Sequence, residues 1–345
     1  MARSDSYRNS SASLPKVLVV VPCRGADFGL EENLLSIKNQ SYENFSVLCV
    51  VDSESDGSLP HIRHAGMKYT KANSAIGNGS GKVKAIATAI KKYKEYGVYA
   101  IADSDIRAPP CWLSNLVRQL SGEGVGLATS FPMFVPADSS IWSKFKSAWG
   151  LVGIGLIKSK ITRFGWGGSL AFRKGLISSA KEFKRFSNSL SDDIALTRLA
   201  KEKGLGIAYN GRCAPIVYCK ETFGTFFEWA NRQTALSILG NKRIFAFGVA
   251  YYSIELALLI LGVALSFANL LFFVLALLYF ANVYRGYRSL PKPSMLYIPI
   301  LVVLPLFYLL NLFIAHGMHS IKWRGRYYQL AQIQKPQNPN GYGNL

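Results

Sequence analysis

The chain has 345 residues, enough for one large domain or two small ones, and half of them are apolar, a share too high for an ordinary soluble enzyme. Forty Lys and Arg against 20 Asp and Glu give a formal net charge of +20, which asks for an anionic partner: nucleic acid, an anionic membrane surface or a phosphorylated substrate. No zinc-finger, RRM or helix-turn-helix signature supports nucleic acid, so the membrane and the phosphorylated substrate remain.

The opening stretch "MARSDSYRNSSASLPK" is polar, and residues 1–14 read as a disordered tail without an apolar signal segment. The expectation is therefore a domain that stays in the cytoplasm. "KVLVVVPC" (16–23) then reads as a buried parallel strand, "EENLLSIKNQ" (31–40) as a helix, and "FSVLCVVDSESD" (45–56) as a second strand ending in acid. "KVKAIATAIKKYKEYG" (82–97) is a helix with Ile86, Ala89, Ile90 and Tyr93 on one face, followed by the strand "VYAIADSD" (98–105). This is a doubly wound α/β order, in which ligands bind beyond the carboxyl ends of the strands, where Asp52, Asp103 and Asp105 fall.

A carboxylate there can bind a base or ribose, and a D-x-D pair can reach a divalent metal holding a nucleoside diphosphate. Asp103 and Asp105 can equally cap the helix that follows Pro109, or pair with Arg107. "GNGSGKVK" (77–84) is not a Walker loop, which needs Gly and Ser or Thr where this chain has Ile76 and Val83. Its glycines still permit close backbone approach, and Lys82 opens a helix whose N-terminus favours anions. Asp192 and Asp193 open another helical pattern, where they fit as an N-terminal charge pair or as a proton acceptor.

Cysteines 23, 49, 111, 213 and 219 show no CxxC or Cys/His ligand spacing, so neither disulfides nor zinc are expected. The aromatic stripe Trp142, Phe145, Trp149 and the segment 225–245 fit either a membrane interface or the domain's own core. Residues 241–320 read as a transmembrane module with apolar segments near 246–266, 268–285 and 295–316, the last containing Pro299 and Pro305. Three full crossings would leave the basic tail, 321–345, on the far side, against the positive-inside rule. One segment is therefore expected to be re-entrant or interfacial.

Eight stretches in order, "VVVPCRG", "VVDSESD", "GNGSGKVKAI", "IADSDIRAPPCWLSNLV", "GVGLATSF", "GWGGSLAFRKGL", "LSDDIALTRLAKEKG" and "KWRGRYY", resemble family 2 inverting glycosyltransferases of the GT-A fold. Within that family the chain looks like the membrane ceramide glucosyltransferase group, over about residues 16–330. The resemblance implies a Rossmann-like, mostly parallel GT-A domain over 15–240, followed by the helical membrane module. It implies that Asp52 contacts the nucleotide base and that Lys82 is the loop's basic residue. Asp103 and Asp105 would hold the diphosphate through Mg²⁺ or Mn²⁺, and Asp192 or, by preference, Asp193 would be the base. Pro22, Arg24, Gly167 and Gly168 fall in the matching stretches as donor-binding positions. The family's Q/R-x-x-R-W reads here as "FFEWANRQTAL", so Arg232 takes the arginine's place while Trp229 and Gln233 depart from the pattern.

The activity so implied is transfer of a sugar, glucose first, from a UDP-sugar to a lipid acceptor at the cytoplasmic face of the cell membrane, by a multi-pass protein. A polyprenyl-phosphate glycosyltransferase, a polysaccharide synthase and an inactive sugar-nucleotide sensor are the alternatives.

Overall fold

A computed structural model describes residues 14–330. The tail expected over 1–14 therefore lies, but for Leu14, outside the described residues, as does 331–345 of the basic tail. The first half runs β1 (Val17–Cys23), α1 (Leu30–Lys38), β2 (Phe45–Val51), α2 (Leu59–His64), β3 (Tyr69–Lys71), α3 (Gly81–Lys92), β4 (Val98–Ala102), β5 (Ile106–Arg107) and α4 (Trp112–Leu120). Then follow β6 (Val125–Thr129), β7 (Met133–Pro136), α5 (Ile141–Trp149), α6 (Leu151–Lys158), β8 (Ser169–Arg173), α7 (Ala180–Ser187), α8 (Asp192–Glu202), β9 (Gly206–Tyr209), β10 (Ile216–Cys219) and α9 (Phe223–Gly240).

Seven strands form one sheet in the order β3-β2-β1-β4-β8-β6-β9. Neighbours are parallel except where β8 runs against β4 and β6. This is the doubly wound, mostly parallel α/β domain expected of a GT-A fold. β1 is a continuous apolar run because both faces are covered. Val17, Val19 and Val21 pack with α1 and α4, while Leu18 and Val20 pack with α3 and α8. A smaller sheet, β5-β10-β7, extends from the strand that follows the D-x-D turn.

The expectation of no disulfide is overturned: Cys111 and Cys213 are bonded, with Cα atoms 5.7 Å apart. The two are 102 residues apart in sequence, and their loops meet because β10 pairs with β5 and Asn115 Nδ2 donates to the Arg212 carbonyl (2.8 Å). Cys23, Cys49 and Cys219 are buried free thiols.

The C-terminal part comprises α10 (Arg243–Ser266), α11 (Phe273–Ser289), α12 (Tyr297–Gly317), β11 (Ser320–Trp323) and β12 (Arg326–Gln329). Three helical stretches, Arg243–Ser266, Leu270–Ser289 and Tyr297–Gly317, are long and apolar enough to cross a membrane. α10 and α11 pack as a hairpin. Gly262 lies so close to α11 that a side chain there would meet the Ala276 backbone at 2.4 Å, and Asn282 Nδ2 donates to Glu255 Oε1 (2.6 Å) across the pair.

α12 behaves differently. Of its most apolar stretch 39% is buried inside the protein, against 6% for α10 and 11% for α11. It lies along α5 and α9: Tyr308 donates to the Trp149 carbonyl (2.8 Å), Trp149 Nε1 to Asn311 Oδ1 (3.1 Å), and Asn311 Nδ2 to Asn231 Oδ1 (2.8 Å). Phe145 and Trp149 of the aromatic stripe are buried in this seam, which decides between lipid and core in favour of core for both. The end of α12 reaches Leu190 and Leu239. From there the β11–β12 hairpin turns back over the carboxyl ends of β1 and β2.

Candidate active site

β2, β1 and β4 are neighbours and parallel, so the residues just past their ends converge. These are Arg24 after β1, Asp52 after β2, and Asp103 with Asp105 after β4. Opposite them, Ser80 caps α3 by accepting from the Val83 amide (3.2 Å), which presents Lys82 in the first turn. β8 enters antiparallel to β4, and the Asp103 amide donates to the Gly168 carbonyl (3.1 Å), fixing the glycine segment against the D-x-D turn. Asp192 and Asp193 occupy the first turn of α8, a position its dipole favours. All eleven expected residues, Pro22, Arg24, Asp52, Lys82, Asp103, Asp105, Gly167, Gly168, Asp192, Asp193 and Arg232, line one cavity of about 450 Å³.

Lys82 is the hub. Its ammonium lies 2.7 Å from Asp103 and 3.4 Å from Asp192, and its side chain is 11% exposed. Burial would drive its pKa down, but Asp103 and Asp192 outweigh this and hold it above the usual lysine value. Asp192 is fully buried, and one of its oxygens has no hydrogen-bond partner; burial pushes its carboxyl up to about 7 despite Lys82. A side chain at Gly167 would meet that carboxylate at 2.7 Å, so the Asp192 carboxylate would have to shift to admit one. Asp193 is half-buried; it accepts from the Gly167 amide (3.3 Å), the Ile194 amide (2.7 Å) and Ser191.

The D-x-D turn is not a helix cap, because α4 starts at Trp112 after Cys111; nor does it pair with Arg107, which approaches Glu32 and stacks on Tyr218. Instead Asp105 Oδ1 is shielded and has no hydrogen-bond partner, and burial with the nearby Asp103 and Asp27 pushes its carboxyl up to about 6. An unpartnered carboxylate oxygen in a carboxylate-rich turn fits a hard divalent cation. Among the described residues no cluster of three His, Cys, Asp or Glu side chains is arranged to hold one, so further ligands would have to come from a bound diphosphate and water.

Lys146 and Arg324 also line the cavity, and Asp27 and Arg326 are ion-paired to lining residues. Asp27 accepts from Ser104 Oγ (2.6 Å) and pairs with Arg324 (2.6 Å); Asp52 pairs with Arg24 (3.2 Å) and Arg326 (3.1 Å). Lys146 is buried against Glu221 (2.6 Å) and over the Trp229 ring. Asp27 follows the end of β1, so the strand-end rule that selected Asp52 applies to it as well. Away from the acids the cavity is walled by Phe131, Phe134, Trp149, Leu156, Trp166 and Trp229, and it reaches Ile244 at the root of α10.

The sequence matches the model of glycosyl transferase family 21 over residues 1–335. The chain belongs to that family. The sequence resemblance pointed to GT-A glycosyltransferases of family 2 and, within them, to the ceramide glucosyltransferase group; the family model that matches is that of family 21, and the protein is a glycosyltransferase. Among solved structures it is similar to the mannosyltransferase PcManGT from Pyrobaculum calidifontis, in complex with GDP-Man and Mn²⁺. The identity is 17% over 87% of this chain and 74% of that one, with a TM-score of 0.48. It is also similar to glucosyl-3-phosphoglycerate synthase from Mycobacterium tuberculosis, in complex with Mn²⁺, UDP and glucosyl-3-phosphoglycerate. There the identity is 14% over 66% and 80% of the two chains, with a TM-score of 0.44.

Proposed function

We propose that this family 21 glycosyltransferase transfers a sugar, with inversion, from a UDP-sugar to the hydroxyl of a membrane lipid, with glucose as the first candidate sugar and a ceramide-like or diacylglycerol lipid as acceptor. The observation that carries this reading is the single cavity with two chemistries. One end holds the acids and Lys82, suited to a nucleoside diphosphate; the other is aromatic and leads to the root of the apolar helix α10.

In this reading Asp52 receives the nucleoside, Lys82 sits at the diphosphate on the α3 N-terminus, and Arg232, also on the cavity wall, adds a second cation. Asp103 and Asp105 would hold Mg²⁺ or Mn²⁺, which when bound neutralises the leaving diphosphate. Asp193 takes the proton from the acceptor hydroxyl as that oxygen attacks the anomeric carbon on the face opposite the diphosphate. Asp193 suits this better than Asp192, which is enclosed and committed to Lys82. Pro22, Gly167 and Gly168 shape the wall where backbone must approach the donor closely.

The α10–α11 hairpin would cross the bilayer and α12 would lie in the interface along the domain, which keeps the tail beside the catalytic face. Purified protein, a lipid extract and radiolabelled nucleotide sugars with Mg²⁺ or Mn²⁺ test the proposal. A labelled lipid is the expected product, and no labelled lipid under any metal condition would overturn it.

A further inference from the structure

The segment after the apolar helices folds back onto the opposite end of the sequence. Ile321 and Leu330 root the β11–β12 hairpin among Leu190, Ala235, Leu239 and Ala315. From that root the hairpin reaches the donor end of the cavity. Tyr328 Oη accepts from the Gly81 amide (3.3 Å) at the start of α3, and Arg326 pairs with Asp52. Trp323 packs against the Arg232 guanidinium, 5.9 Å from ring centre to guanidinium carbon.

The turn itself is unusual. Arg324 and Gly325 both have positive φ, +49° and +73°, as a two-residue type I′ hairpin turn requires. Such turns favour Asn, Asp or Gly, and an arginine with left-handed backbone costs conformational energy. What that placement achieves is to set a guanidinium over the acids: Arg324 touches Asp27 Oδ1 at 2.6 Å, and Asp27 Oδ2 accepts from Ser104, the middle residue of the D-x-D turn. Arg324 also lines the cavity with Asp103, Asp105 and Arg232.

We propose that the β11–β12 hairpin is a wall of the donor site and that Arg324 binds the donor diphosphate, exchanging its Asp27 partner for the phosphate oxygens. This rests on the nucleotide-sugar reading above. Asp27 holds the arginine in place while no donor is bound, and a diphosphate seated between Lys82 and the D-x-D turn offers the guanidinium a bidentate partner of higher charge.

The test uses the full chain in detergent with Mn²⁺ and measures affinities for UDP and for uridine monophosphate. Arg324→Ala is expected to weaken UDP binding at least tenfold and uridine monophosphate binding less than threefold, with Arg324→Lys intermediate. Asp27→Asn breaks the same ion pair but leaves the arginine, so it should retain or tighten UDP binding. If UDP affinity is unchanged in Arg324→Ala, or if Arg324→Ala and Asp27→Asn lose affinity equally, the arginine is only a structural clasp and the proposal fails. A wild-type protein that binds none of UDP, GDP and ADP would instead remove the nucleotide-sugar reading, and this proposal with it.

Discussion

Lys82 bridges the D-x-D turn, through Asp103, and the acid pair that opens α8, through Asp192, at 2.7 and 3.4 Å. Removing one member of a buried, charged cluster leaves the others uncompensated, at a cost of about 3–5 kcal/mol. Lys82→Met is therefore expected to lower the melting temperature and weaken nucleotide binding, and Lys82→Met/Asp192→Asn to regain part of the stability; thermal denaturation of the three proteins checks this. Asp193 is assigned a different task, since a general base contributes about 10²–10⁴-fold to rate and little to donor affinity. Asp193→Asn should lose that factor in kcat while its UDP affinity, read by titration, stays within about twofold. Strand ends and helix starts located by apolar periodicity made Lys82, Asp52 and the acid pairs candidates, while the roles expected of them came from the family resemblance. Asp27 was passed over although it follows the end of β1, and the roles of Arg324 and Arg326 were missed because their partners lie in other segments: "KWRGRYY" carried part of the family resemblance but does not announce which acids it will meet.

The helix starts are built to hold the acids still, and α7 shows this most plainly away from the cavity. Glu182 accepts from the Ser178 and Ser179 amides (2.7 and 3.0 Å) and pairs with Lys203 (2.7 Å), while Ser179 accepts from the Glu182 amide. Burial alone would raise its carboxyl, but Lys203 and these amides hold it down at about 2. A depressed carboxylate stabilises the fold above its unfolded value of about 4.5 and loses that contribution as pH falls toward 2. Glu182→Gln should thus lower the melting temperature at pH 7, with the gap to wild type closing between pH 4.5 and 2. The strands β1, β2 and β4 were legible as apolar runs, whereas three-residue β3 and the β5-β10-β7 sheet were not, being too short to carry a period. The Cys111–Cys213 bond escaped the sequence for a related reason: it closes 102 residues, and only the β5–β10 pairing brings its ends together.

At the level of the molecule, hydropathy marked three apolar segments but not their unequal roles. α12 resembles the other two in composition and differs in what covers it, since Tyr308 and Asn311 are hydrogen-bonded into α5 and α9. With α10 and α11 as the crossing pair, Lys322 lies on the domain's side and Ala268, at the hairpin tip, on the other. An impermeant thiol reagent on sealed vesicles should label Lys322→Cys from the domain's side and Ala268→Cys from the opposite side. Background is low because Cys23, Cys49 and Cys219 are buried and the other two cysteines are bonded. Labelling of Lys322→Cys only from the far side would mean that α12 crosses as well.

The proposed reaction is a single displacement in which Asp193 deprotonates a lipid hydroxyl while the diphosphate leaves on the opposite face. The anomeric configuration of the lipid-linked sugar made from an α-configured UDP-sugar, read by proton NMR, tests this most directly. A β-linked product is predicted, and an α-linked product would rule out a single inverting displacement.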